Sequence, residues 1–126
     1  MGEILVIDDE SGITKLIAEV LTKFGHRVTT AADGQQGIDC LQKAGYDLVI
    51  TDMRMPGTDG CSVVAHIRAS QHADTPIIGI SGTPWLLDGQ ACDAVLPKPF
   101  PLQHLVAAVD RLAGASRQSA EAAAVS

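Results

Sequence analysis

The chain has 126 residues, 46% of them hydrophobic, which suits one domain with a packed core. Its formal charge of −6 argues against general affinity for a nucleic-acid backbone, so no direct nucleic-acid contact is expected. No apolar run approaches the roughly 18 residues of a membrane span, and the N-terminus lacks a basic, apolar leader, so a cytoplasmic protein without a membrane segment is expected.

Glu3 to Ile7 form a short apolar run that ends on Asp8, Asp9 and Glu10, which reads as a first strand closing on acid. From Ser11 the period changes. Ile13, Leu16, Ile17, Val20, Leu21 and Phe24 fall on one stripe of an amphipathic helix, and Gly25 stops it. Arg27 to Ala31 form a weaker second strand. Asp33 can cap a helix with Ile38 and Leu41 on its inner side, and Gly45 closes that unit. Leu48 to Thr51 are the apolar run of a strand buried on both faces, and it ends on Asp52. Pro56, Gly57 and Gly60 break the chain into a loop, after which Val63, Val64 and Ile67 mark a third helix.

Pro76 leads into Ile77 to Ile80, a fourth strand that ends at Ser81 and Gly82. Only residues 82–93 separate it from the fifth strand, Ala94 to Leu96. Thr83 could cap and Pro84 start a helix there, but Gly89 leaves room for barely two turns, so the fourth helix is expected to be short or missing. Trp85 in this segment is either a core plug or a partner contact. Pro97 marks the fifth strand as an edge strand. Leu102, Leu105, Val106, Val109 and Leu112 line the last helix. Residues 115–126, rich in Ala and Ser, read as a flexible tail or linker remnant after a domain of residues 1–114.

Five short strands alternating with helices specify a βα repeat, and right-handed crossovers give a three-layer, doubly wound α/β domain with a parallel sheet. In such a sheet every strand ends on the same edge. Asp8, Asp9, Asp52, Ser81 and Lys98 therefore converge. Two carboxylates about 4 Å apart repel by ~1 kcal/mol in water and ~4 kcal/mol at a dielectric of 20, so three need a cation beyond Lys98. A hard, oxygen-seeking ion, Mg²⁺ (or Mn²⁺), fits these donors. No His or Cys sits among them, and the four histidines show no metal spacing. Cys40, Cys61 and Cys92 form no C-x-x-C motif and are expected to be reduced packing residues. A carboxylate beside a metal, a lysine and a hydroxyl is equipped to attack phosphorus.

Asp8-Asp9 after strand one, Asp52 before Met53-Arg54-Met55-Pro56-Gly57, Ser81-Gly82 after strand four and Lys98-Pro99-Phe100 after strand five resemble a response-regulator receiver domain of two-component signal transduction. The resemblance covers residues 3 to about 113. It implies a flavodoxin-like, CheY-like sheet of order 2-1-3-4-5. It also implies a phosphoprotein in which Asp52 takes a phosphoryl group from a phosphohistidine of a sensor histidine kinase or histidine phosphotransfer protein in a phosphorelay. Asp9, Asp52 and the main-chain carbonyl of Arg54 would then be metal-binding, with Asp8 acting through a metal-bound water. Lys98 and Ser81 would bind the phosphoryl oxygens, and Lys98-Pro99 is a candidate cis bond. On this reading the chain catalyses only its own phosphorylation and dephosphorylation, as a monomer or a phosphorylation-dependent dimer, and switches contacts with an unidentified output protein.

The sequence departs from the family at Val95, three residues before Lys98, where many receivers carry a switching Tyr or Phe. Arg54 and Thr83 would flank the path of the hydrolytic water, where a long Arg54 side chain is expected to slow its attack. Two other readings stay open. A pseudo-receiver would bind partners without phosphorylation, although the acids, the acceptor and the lysine are all present. An aspartate-nucleophile phosphatase of the haloacid-dehalogenase type needs an acid two residues after the nucleophile, where this chain has Arg54.

Overall fold

The apolar runs Glu3–Ile7, Leu48–Asp52 and Ile77–Ser81 have almost no polar face to give to solvent and are buried between layers, whereas Arg27–Ala31 and Ala94–Pro97 are only partly buried. In the computed structural model, β1 (Glu3–Ile7), β2 (Arg27–Ala31), β3 (Leu48–Asp52), β4 (Ile77–Ser81) and β5 (Ala94–Pro97) pair in parallel in the order β2-β1-β3-β4-β5. The description covers the backbone of residues 2–53, 60–82 and 92–125, and side chains up to Ala113. The expectations for Arg54, Pro56, Gly57, Thr83, Trp85 and a short fourth helix lie outside these residues. Four helices are found among those described: α1 (Ser11–Lys23), α2 (Gly34–Lys43), α3 (Gly60–Arg68) and α4 (Leu102–Val125). None of them is long and apolar enough to cross a membrane.

The period-2 alternation of strand side chains divides the core into two layers. Ile4 and Val6 of β1, Leu48 and Ile50 of β3, and Ile78 and Ile80 of β4 face Ile17, Leu21, Leu105 and Val109 of α1 and α4. Leu5, Ile7, Val49 and Ile77 face Leu41, Val63, Val64 and Ile67 of α2 and α3. All five residues of β3 and of β4 are buried, as expected for central strands. Pro97 lies opposite Ser81 in the edge strand, as its lack of an N–H requires.

The helix termini follow their local chemistry. Asp33 caps α2 by accepting from the Gln36 N–H at 2.8 Å. Gly25 takes φ 90°, a left-handed conformation that lets the chain turn from α1 into β2. Gly60 starts α3 where a β-carbon would collide with the Asp52 carbonyl oxygen and the Met53 backbone, so this helix packs directly under the end of β3.

One sequence expectation changes. The α1 stripe is narrower than its apolar residues suggested: Thr14, Ile17 and Leu21 are buried, while Leu16 and Phe24 are 46% and 59% exposed. Six apolar positions subtend more of the helix than one sheet can cover. In residues 115–126, read from the sequence as a flexible tail or linker remnant, the backbone is helical to Val125. Alanine has the highest helix propensity, so this segment forms helix without an apolar period.

Candidate functional site

The strand order brings the C-terminal ends of β1, β3, β4 and β5 together, and ladder bonds fix their stagger. The Asp8 N–H donates to the Ala31 carbonyl at 3.1 Å, the Met53 N–H to that of Ile80 at 2.9 Å, and the Lys98 N–H to that of Ser81 at 2.8 Å. Asp8, Asp52 and Ser81 are all buried. The Lys98 ammonium donates to Asp52 Oδ2 at 3.0 Å. The Lys98-Pro99 bond is cis. The five residues that the sequence brings to this edge are therefore at it, four of them on strands or immediately after them and Asp9 one residue further on.

The structure adds a sixth. One carboxylate oxygen from each of Asp8, Asp9, Glu10 and Asp52 lies within 4.8 Å of the others. Glu10 Oε1 is also 3.8 Å from Lys98 Nζ. The sequence signal for Glu10 was its place as the third acid in a row, but periodicity does not tell which of three consecutive acids turn inward. Here Asp8 is buried while Asp9 and Glu10 are exposed at the mouth.

The electrostatics follow from this packing. Asp8 Oδ1 accepts from the Glu10 N–H at 2.9 Å, whereas Oδ2 is buried without a hydrogen-bond partner. Burial pushes the Asp8 carboxyl up to about 6; the charge of Asp52 adds to this, while the Glu10 N–H and Lys98 oppose it. Burial works against the Lys98 ammonium, but the hydrogen bond and charge of Asp52, with the charges of Asp8 and Glu10, outweigh it and raise its pKa. A buried carboxylate oxygen lacking a donor, inside an all-oxygen cluster, is a place where a hard divalent cation would satisfy both geometry and charge. The donor set fits Mg²⁺ and offers zinc no nitrogen or sulfur.

Other expected residues fall as follows. Val95 is half-buried opposite Gly79, so the β5 position before the lysine carries no aromatic ring. Arg54 and Thr83 lie outside the described residues. The three cysteines are half-buried. His26 accepts from the Gly2 N–H at 3.1 Å, and His72 Nε2 meets the Leu41 carbonyl at 2.9 Å, far along the chain from the acids.

The comparisons agree with this geometry. The family model described as the response regulator receiver domain matches residues 4–110. The transcriptional regulatory protein TcrA of Mycobacterium tuberculosis is 39% identical over 121 residues, which cover 91% of this chain and 46% of that protein. Among solved structures, the response regulator TrrA of Thermotoga maritima in complex with Mg(2+)-BeF is 34% identical with a TM-score of 0.81, covering 89% of this chain and 99% of that one. The chemotaxis response regulator CheY4 of Vibrio cholerae is 29% identical with a TM-score of 0.82, covering 89% and 98%. The chain spans about half the length of the curated relatives it matches.

Proposed function

The chain belongs to the response-regulator receiver domain family, and from that premise we propose that Asp52 is its phosphoacceptor, taking a phosphoryl group from a phosphohistidine of a kinase or phosphotransfer partner. The observation that carries this reading is the 3.0 Å pair between Lys98 Nζ and Asp52 Oδ2 inside a cluster of four carboxylates. An Asp52 oxygen attacks phosphorus, the bond from phosphorus to the histidine nitrogen breaks, and the electron pair leaves with the imidazole. The Lys98 ammonium stays with the transferring oxygens and offsets their charge. Asp9, Asp52 and the Arg54 carbonyl, with Asp8 through water, would hold Mg²⁺. The ion supplies charge neutralisation to carboxylates that otherwise repel one another, and to the phosphoryl oxygens. TrrA, whose structure contains Mg(2+)-BeF, supports this assignment by its likeness to the chain.

Phosphorylation adds roughly −1.5 to −2 charges and three acceptor oxygens, one of which the hydroxyl of Ser81, at the end of β4, would meet. Output then passes through changed contacts with a partner protein. A groove of about 420 Å³ lined by Ile13, Leu16, Ile17, Phe100 and Leu102 opens beside Glu10 and Lys98, and gives a donor protein an apolar surface next to the acceptor.

Incubation with a small phosphodonor and Mg²⁺ tests the reading. Stoichiometric, acid-stable and base-labile label on Asp52, absent from Asp52→Asn, is the expected result. Multiple turnover without a trapped adduct would favour the phosphatase, and no reaction would favour the pseudo-receiver. Label retained by Asp52→Asn would remove the site assignment.

A further inference from the structure

Lys98 has two carboxylate partners at different depths. Asp52, with its side chain 4% exposed, takes the hydrogen bond at 3.0 Å, while Glu10, 60% exposed, holds the outer side of the same ammonium at 3.8 Å. The Glu10 backbone is fixed. Its N–H donates to Asp8 Oδ1 at 2.9 Å, and its carbonyl accepts from the Ile13 and Thr14 N–H groups at 3.1 Å each. The side chain is thus anchored at the first turn of α1, on the solvent side of the ammonium that a phosphoryl group must reach.

We propose that Glu10 is a positioning residue that tethers Lys98: its carboxylate shares the ammonium with Asp52 and holds it partly away from an incoming phosphoryl group, which slows phosphorylation of Asp52. The kinetic part rests on the phosphoacceptor reading above, while the tether itself does not. The phosphoryl group arrives as an anion, so it must compete with Glu10 for the one cation that the chain places at this site among the described residues. Removing the Glu10 charge leaves Lys98 to Asp52 and the donor. Exposed ion pairs are weak, so the expected gain is modest, about two- to fivefold in the second-order rate constant.

The test uses the whole chain at saturating Mg²⁺ and compares Glu10→Gln with Glu19→Gln, which removes the same charge from an exposed position further along α1. With acetyl phosphate as donor, Glu10→Gln is expected to take label about two- to fivefold faster than the wild type, and the advantage should shrink in high salt as screening weakens the tether. Glu19→Gln should stay within about 1.5-fold of the wild type, because its charge lies beyond a Lys98 contact. Independently of any donor, the side-chain ammonium resonance of Lys98 should move in Glu10→Gln and not in Glu19→Gln. An unmoved resonance, an unchanged or slower rate in Glu10→Gln, or equal acceleration by both variants overturns the proposal. A moved resonance in a protein whose wild type takes no label on Asp52 would uphold the tether and bring down the phosphoacceptor reading alone.

Discussion

Asp8 illustrates how one buried oxygen sets the behaviour of the site. Its carboxyl, pushed up to about 6 from an ordinary 3.8, is more easily protonated in the folded chain than in the unfolded one. The folded state therefore binds the extra proton, and the resulting stabilisation is complete below about pH 4 and lost as pH rises through about 6. At neutral pH, without a divalent ion, the ionised Asp8 is a net cost. Asp8→Asn should accordingly be more stable than the wild type at pH 7.5 in chelator, by roughly 1 to 3 kcal/mol, and the difference should fade towards pH 4. Urea unfolding at pH 4, 6 and 7.5 measures this; a variant no more stable at pH 7.5 would contradict the burial argument. The same burial was hidden in the sequence, since Asp8, Asp9 and Glu10 are equally acidic and only the turn from β1 into α1 assigns one inward and two outward.

At the level of elements, the connection from α3 to β4 is braced by Arg68 from the last turn of the helix, alongside Ser70, whose hydroxyl donates to the Ile67 carbonyl and accepts from the His72 N–H. Arg68 Nη1 donates to the carbonyls of Ala73 and Thr75 at 2.7 and 2.8 Å, and Nη2 pairs with Asp93 Oδ2 at 2.8 Å. Asp93 Oδ2 in turn accepts from the Ile77 N–H at 2.8 Å, so one planar fork joins the exit of α3 to the starts of β4 and β5. Arg68→Ala should cost roughly 1 to 3 kcal/mol, and Arg68→Lys should recover only part because an ammonium cannot span three acceptors in that plane. Denaturant midpoints of the three proteins provide the check, and full recovery by lysine would show that charge alone acts. Nothing in the apolar pattern announced this clamp. The strands themselves were legible, because runs such as Leu48–Thr51 and Ile77–Ile80 have no polar face to give to solvent and must be central. The faces of α1 were not, because Leu16 and Leu21 are equally apolar and only the position of the sheet leaves the first outside and buries the second.

For the molecule as a whole, the sequence shows the convergence of Asp8, Asp9, Asp52, Ser81 and Lys98 only once a parallel sheet is assumed, because these residues are separated by up to 90 positions (98 − 8). The topology turns that separation into a common edge, and with it concentrates the negative charge. The chain carries a net −6, and four of its 15 acidic residues meet within one cluster. That cluster exists only when β1 and β3 are paired, which joins acids more than 40 residues apart, so an ion that binds it is linked to folding. Mg²⁺ should therefore raise the thermal midpoint by more than a monovalent salt of equal ionic strength. A hundredfold excess over the dissociation constant contributes about 2.7 kcal/mol. For a chain of this length each kcal/mol moves the midpoint by roughly 3 to 6 °C. Asp52→Asn, which keeps the fold's apolar core and removes one donor, should lose most of the Mg²⁺-dependent shift while keeping the response to monovalent salt. Melting curves in Mg²⁺ and in KCl at matched ionic strength separate the two effects. If KCl reproduces the shift, the cluster is only being screened; if Asp52→Asn retains it, the ion binds elsewhere.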